Sequence, residues 1–222
     1  MNFVESIYQE TENIQKAIMT HPFTKRIGNG TLEKDSFKFF IEQDYLFLLE
    51  YSKVLALATA KSPNYSTMSS FSKLLEETLN SEISLHIGYC EKLGITLNDL
   101  QTTQPALAMK SYTNFLVKVA YEGEFTEIIA ALLPCMLTYA EIGLDLKKNK
   151  TNNNDPLYDE WIEMYSNQEF VNLASWLKDL VNNTAAESSK TQKQKMKKAY
   201  IDSCRFELEF WTMSLNKTTW TI

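Results

Sequence analysis

Along the chain, apolar side chains recur three and four positions apart in long runs, the spacing that gathers them on one side of an α-helix. Phe3, Ile7, Ile14 and Ile18 form a first stripe, which should stop at Pro22. A second helix, from about Asp35 to Lys61, repeats at Phe37, Ile41, Asp44, Leu48, Tyr51, Leu55 and Thr59. A third, from about Thr67 to Leu93, reads Phe71, Leu75, Thr78, Glu82, Leu85, Tyr89 and Leu93. Ala108, Tyr112, Phe115 and Val119 mark a shorter one. The most apolar helix places Phe125, Ile128, Leu132, Cys135, Tyr139, Ile142 and Leu146 in register. After an asparagine-rich loop from Asn149 to Pro156 come Leu157, Trp161 and Tyr165, then Phe170, Leu173, Trp176 and Leu180. The last helix aligns Met196, Tyr200, Ser203, Glu207, Phe210 and Ser214. Alternation of apolar and polar residues is hard to find, so strands have little support. The prediction is an all-α bundle of about seven or eight helices, with residues 1–222 as a single domain.

Composition sharpens this picture. Six glycines and five prolines are few for 222 residues and favour long helices over a turn-rich β-fold. A net charge of −6 argues against a phosphate-backbone partner, since nucleic-acid binders present clustered basic surface. The one basic run, Lys190 to Lys198, reads as the solvated opening of the last helix. The longest uncharged stretch, Ile128 to Ala140, falls short of the ~20 apolar residues of a spanning helix, so no membrane segment is expected. The first residues lack the basic start and apolar core of a signal peptide, which makes the cytoplasm the expected location. Cys90, Cys135 and Cys204 are an odd number without Cys-x-x-Cys spacing, so neither a disulfide framework nor a zinc site is indicated.

Three acids break the apolar stripes. A carboxylate on a core-facing stripe loses hydration unless a partner compensates. Asp44, Glu82 and Glu207 each occupy such a position, on three different helices, which suggests a shared polar pocket; a satisfied structural pair is the plainer reading of any one of them. Glu82 and His86 lie four apart, where side chains of one helix meet, and read as a structural ion pair. Cys135 by itself would be a packing thiol. Pro134 before it removes a backbone donor, frees the carbonyl of Ala130 and tends to kink the axis, which would open a pocket beside the thiol. Tyr139, one turn on, shares that face. Cys90 and Cys204 read as packing thiols.

A thiol and two acids suit one chemistry in particular. Cysteine adds to an electron-poor carbon, and a carboxylic acid with a raised pKa protonates a ring nitrogen and makes that carbon more electrophilic. A second, ionised carboxylate holds a ring amino group. The substrate implied is a small, flat, nitrogen-rich ring, which Tyr112, Tyr139 and Tyr165 could sandwich.

Several segments carry a family likeness: His21-Pro22-Phe23, Ile27-Gly28-Asn29-Gly30-Thr31-Leu32, Phe37-Lys38-Phe39-Phe40 with Gln43-Asp44-Tyr45, Leu132-Leu133-Pro134-Cys135 with Tyr139-Ala140-Glu141-Ile142-Gly143, and Glu207-Leu208-Glu209-Phe210-Trp211. In this order, over almost the whole chain, they resemble thiaminase II, also called TenA. The resemblance implies a haem-oxygenase-like helical bundle without haem, a homotetramer as the usual assembly, and hydrolysis of aminopyrimidines in thiamine salvage without metal or organic cofactor. The substrate it implies is 4-amino-5-aminomethyl-2-methylpyrimidine, converted to the 5-hydroxymethyl compound with loss of ammonia, with thiamine cleaved more slowly. By the same likeness Cys135 is the nucleophile and Glu207 the acid that protonates a ring nitrogen and later takes the proton back. Asp44 binds the ring amidine edge, and Tyr112, Tyr139 and Tyr165 line the pocket. One position departs: many members carry a tyrosine where this chain has Phe47, and its hydroxyl is thought to assist the cysteine.

Two rival readings use the same scaffold. A metal or haem oxygenase would need ligands, and the chain has only His21 and His86 and no Glu-x-x-His pair. His21, beside Pro22 at a helix end, reads as a cap or a surface residue rather than a ligand. A non-catalytic aminopyrimidine-binding protein would keep the pocket without turnover.

Overall fold

The computed structural model describes residues 1–149 and 155–221. Of the asparagine-rich loop expected from Asn149 to Pro156, residues 150–154 lie outside the described residues. Among the described residues there are twelve α-helices and no strand. The excess over the expected seven or eight comes from local breaks within two predicted stripes and from two short helices, Pro22–Gly28 and Leu97–Thr102, that carry too few residues to display a period. The all-α class stands.

The chain divides into two compact units. The first comprises residues Met1–Leu32 and Ile129–Thr212, and the second Glu33–Ile128 and Met213–Ile222.

In the first unit the stripe expected to run unbroken to Pro22 is cut into α1 (Phe3–Glu10) and α2 (Glu12–Met19), followed by α3 (Pro22–Gly28). Asn2 opens α1 with a capping box shared with Glu5. The break falls at Thr11, whose backbone leaves the helical region at φ −106° and ψ 14° while its hydroxyl bonds back to the Ile7 carbonyl. His21 caps α3, its Nδ1 accepting from Phe23 N–H, with Pro22 in the first turn, where its missing donor costs nothing. Of the two roles expected of His21, cap or surface residue, it has the first, and it is buried.

Buried Nδ1 must stay bare to accept, so Nε2 carries the ring proton and donates to Thr212 Oγ1 at 3.3 Å, while that hydroxyl donates to the Leu208 carbonyl. Burial lowers the His21 pKa to about 4.

The longer helices of this unit are α9 (Phe125–Lys148, from Ile129 onward), α10 (Pro156–Ser166), α11 (Gln168–Glu187) and α12 (Lys190–Asn216, as far as Thr212). Helix α9 runs through Pro134 and is long and apolar enough to cross a membrane by composition, but most of that window is buried inside the protein, as in a core helix. On α11 the buried face is Ala174, Leu177, Val181 and Ala185; the expected stripe of Phe170, Leu173, Trp176 and Leu180 is only half-buried.

The second unit is built on α4 (Lys34–Lys61), which matches its expected span to within a residue. It packs against α5 (Tyr65–Glu77), α6 (Ile83–Leu93) and α8 (Leu107–Glu122), with α7 (Leu97–Thr102) between the last two in sequence. Gln43 clamps the loop before α8, donating to the Gln104 carbonyl and accepting from Ala106 N–H. Lys61 places its ammonium on the Tyr121 and Gly123 carbonyls at the C-terminus of α8, the end where a cation is favoured. Gly94, at φ 67°, ends α6 in the left-handed conformation that lets Ile95 N–H reach back to the Cys90 carbonyl.

Between α5 and α6 the predicted third helix continues, but through a π turn at Thr78–Glu82, where Ile83 N–H bonds to the Thr78 carbonyl. The extra residue shifts the register by one. The buried stripe therefore passes from Thr78 to His86, Tyr89 and Cys90 rather than through Leu85, which is half-buried. Glu82, expected on the stripe, is half-buried for the same reason.

The His21 cap carries a pH dependence. Between 6.5 and about 4 the unfolded chain takes up a proton at this side chain that the folded one refuses. Stability is thus expected to fall with decreasing pH through that window. Chemical denaturation of His21→Asn, which keeps an N-cap acceptor without a titrating ring, should give a flatter profile than the wild type there.

Candidate active site

The predicted site residues fall in both units. Cys135, Tyr139, Tyr165 and Glu207 belong to the first, Asp44, Phe47 and Tyr112 to the second.

In the first unit, Cys135 is half-buried on α9, whereas Cys90 and Cys204 are buried. Burial pushes the Cys204 thiol up to about 12, with the negative charge of Glu207 adding to the effect, and burial likewise raises Cys90 to about 11. Neither forms thiolate readily at neutral pH, as expected of packing thiols. Ser203 on α12 donates to the Ala131 carbonyl on α9 at 2.7 Å. Cys135 and Glu207 each lie four residues beyond an end of that bond, so one buried hydrogen bond sets the register of both helices just ahead of the thiol and the acid. Glu207 is 2% exposed.

Tyr139 and Tyr165 meet edge to face, ring centroids 4.7 Å apart. Trp211 lies 4.9 Å from Tyr139, and Trp161 4.8 Å from Tyr165. Four aromatic rings thus form one cluster, with Trp211 one turn after Glu207. Trp161 was legible in sequence only as a core stripe residue, and Trp211 only as part of the family-like Glu207–Trp211 segment. Gly143 makes the approach of α9 and α10 possible: a Cβ there would lie 2.6–2.9 Å from backbone atoms of Tyr165 and Ser166.

The same unit holds a polar cluster that the sequence did not single out. Tyr8 donates to both oxygens of Glu141 at 2.9 and 2.8 Å, and Gln15 reaches Tyr200 and Cys204. Burial first, and then the Tyr8 hydrogen bond and Lys178 in opposition, leave the Glu141 carboxyl above its ordinary value. These groups join α1, α2, α9 and α12.

In the second unit, Asp44 is 4% exposed and pairs with His86, Nε2 to Oδ2 at 2.7 Å. His86 Nδ1 lies 3.0 Å from the Glu82 carbonyl oxygen. The expected partner of His86 was the Glu82 carboxyl, one turn away. Asp44 meets Nε2 from α4, which packs against α6, and the charge of Glu82 also acts on the ring. Burial works against charge on His86, but the hydrogen bond and charge of Asp44, with Glu82 behind them, hold its pKa above the ordinary value. Phe47 packs against Tyr112 at 5.1 Å and Tyr51 at 5.8 Å. Among the described residues, no group of three or more His, Cys, Asp or Glu side chains is arranged to hold a metal ion.

Residues 8–217 match the TENA/THI-4/PQQC family. The chain is 41% identical over 220 residues to a protein of Halalkalibacterium halodurans named aminopyrimidine aminohydrolase, covering 99% of this chain and 98% of that one. Among solved structures it is similar to a TenA homologue from P. horikoshii, with a TM-score of 0.89 at 29% identity over 97% of this chain and 99% of that one. It also resembles a Shewanella denitrificans domain of unknown function with a haem-oxygenase-like fold, at a TM-score of 0.75 and 11% identity over 96% and 92% of the two chains. That likeness speaks for the fold alone, and the fold is the one expected.

Gly143→Ala should force backbone at Tyr165 away from α9, lowering stability by about 1–3 kcal/mol. A thermal melt, with tryptophan fluorescence reporting the Trp161–Tyr165 contact, measures it; an unchanged melt and spectrum would mean that α10 yields without cost. The His86–Asp44 pair has the opposite sign to His21. Its contribution is complete below the unfolded-state value of 6.5 and is lost as pH rises through the higher folded-state value. Denaturation of wild type against His86→Gln from pH 6 to 10 should therefore show the difference shrinking toward alkaline pH.

Proposed function

The chain belongs to the TENA/THI-4/PQQC family, and from that membership we propose that it is an aminopyrimidine aminohydrolase of the thiaminase II type, acting in thiamine salvage. Its substrate is 4-amino-5-aminomethyl-2-methylpyrimidine, which it converts with water to the 5-hydroxymethyl compound and ammonia. The observation that carries the reading is the state of the three cysteines. Only Cys135 is part-exposed, in the Leu-Leu-Pro-Cys segment that resembles the family's, while burial holds the other two thiols protonated.

In this reading the Cys135 sulfur adds to a ring carbon, its thiol proton passing to the exocyclic amine, while Glu207 protonates a ring nitrogen. The ring, no longer aromatic, expels ammonia from the exocyclic methylene as the electron pair moves out. Water adds to that methylene as hydroxyl, Glu207 takes the ring proton back, and the carbon–sulfur bond breaks to restore the ring, the sulfur regaining its proton from the water. Asp44 accepts hydrogen bonds from the ring's amino edge. Tyr139, Tyr165, Tyr112 and Phe47 supply flat apolar contact for the heterocycle. No step calls on a metal or an organic cofactor. The family's usual homotetramer and a cytoplasmic location complete the proposal.

With Phe47 in place of a tyrosine, no hydroxyl at that position assists the thiol. We take thiamine, whose thiazole is the bulkier group to be accommodated and released, as the slower substrate.

An ammonia-release assay with the aminomethylpyrimidine tests the reading. Cys135→Ser should fall to background, and Glu207→Gln should lose about 10²–10⁴-fold in kcat. Tight pyrimidine binding without ammonia from the wild type would leave a binding protein instead. Thiamine should turn over more slowly than the aminopyrimidine, and Phe47→Tyr should raise its rate; thiamine as the faster substrate would reverse the assignment for Phe47.

A further inference from the structure

Both ring nitrogens of His86 are committed inside the protein. Nδ1 lies 3.0 Å from the Glu82 carbonyl oxygen, which can only accept, so Nδ1 carries a proton. Nε2 lies 2.7 Å from Asp44 Oδ2, and the two side chains are 2% and 5% exposed. Two bare acceptors at that distance, away from water, would repel each other. One proton therefore lies between Nε2 and Oδ2. It belongs either to an imidazolium facing a carboxylate or to a carboxylic acid facing a neutral ring.

The consequence for Asp44 is the same in both cases. If the proton is on Nε2, Oδ1 is half of a carboxylate. If it is on Oδ2, Oδ1 is the carbonyl oxygen of an acid. Either way Oδ1 accepts and never donates. Rotation of the carboxyl group about its terminal bond, which is otherwise soft, is stopped by the bond to His86. The charged or titratable groups facing the imidazole are Asp44 from α4, Glu82 from the π turn and Tyr89 on α6, its ring centroid 6.1 Å away. The π turn itself brings His86 to this face, and such turns recur at functional positions.

We propose that His86 is the positioning residue for the pyrimidine-binding acid, fixing the Asp44 carboxyl so that Oδ1 is held as an obligate acceptor that selects a 4-amino ring over a 4-oxo ring. This rests on the assignment of Asp44 to substrate binding made above. The exocyclic amino group donates to Oδ1. An oxo group in its place presents a second acceptor, leaves a buried polar atom unpaired and is rejected. Without His86 the buried carboxyl has no fixed proton partner; it becomes free to turn and to present an O–H, and the oxo ring is tolerated.

The test is calorimetric binding of 4-amino-5-hydroxymethyl-2-methylpyrimidine and of its 4-oxo analogue to the wild type, His86→Leu and His86→Gln, with the ammonia assay run in parallel. The wild type should prefer the amino ring by roughly a hundredfold or more. In His86→Leu amino-ring affinity should drop roughly tenfold, and the preference should narrow by a similar factor. In His86→Gln, whose amide can donate to Oδ2, most of the preference should return. A merely structural role would change the melting temperature but leave the amino-to-oxo ratio alone in folded protein, and that outcome overturns the proposal.

If the variants do not fold, ¹⁵N spectra of the His86 ring in the wild type decide. A ring with Nδ1 bare refutes the arrangement, and one with Nδ1 protonated supports it. Ammonia release from the wild type with an unchanged ratio in His86→Leu sinks this inference alone. Binding with a narrowed ratio and no ammonia supports it and sinks the hydrolase reading. No binding of either ring sinks both.

Discussion

A carboxyl group placed on the inner face of a helix loses most of its hydration, and the protein must return those hydrogen bonds or surrender the charge. At Asp44 the return comes from His86, and much of the second unit follows from it. The imidazole has to reach α4, so the helix that carries it cannot keep a plain α register. The π turn at Thr78–Glu82 supplies the extra residue and also presents the Glu82 carbonyl that holds the other ring nitrogen. The same helix ends at Gly94, where a left-handed residue closes the last turn. Gln43, next to Asp44, clamps the loop that leads into α8 and Tyr112. An anionic or proton-sharing group is thus held by main-chain and side-chain bonds whose geometry leaves little freedom.

The first unit solves a different problem. Under the proposed chemistry its thiol needs access and its acid needs burial, and both sit on long helices. A single hydrogen bond, from Ser203 to the Ala131 carbonyl, ties the two helices together one turn ahead of each residue. Around them the rings of Tyr139, Trp161, Tyr165 and Trp211 pack edge to face and tilted, a stiff apolar wall made possible by the absent side chain of Gly143. The cysteines illustrate how one residue type is sorted by surroundings. Cys204, inside a cluster of buried hydroxyl, amide and carboxyl groups, stays a thiol, while Cys135 keeps part of its surface open.

Much of this was legible in the residues. The stripe of α4 could be read almost to its ends, because its amphipathic period is uninterrupted over 28 residues. His21 could be read as a cap because a histidine before a proline at a stripe boundary has few other uses. The burial of Asp44 and Glu207 followed from their phase among apolar neighbours. The break at Thr11 could not be read, since the apolar spacing is intact on both sides of it. Nor could the π turn. It changes no residue type and declares itself only by the later misfit of Leu85 and His86.

The sequence by itself determined the helical class, the family likeness and which side chains would be taken out of water, because period and polarity are local properties that each helix carries alone. Tertiary structure decided the partners. Asp44 and His86 stand 42 positions apart, and a nearer acid, Glu82, offered His86 a plausible local match. Which carboxyl the imidazole meets depends on how one helix is wound and on which helix lies across from it. That information exists only once the chain has packed.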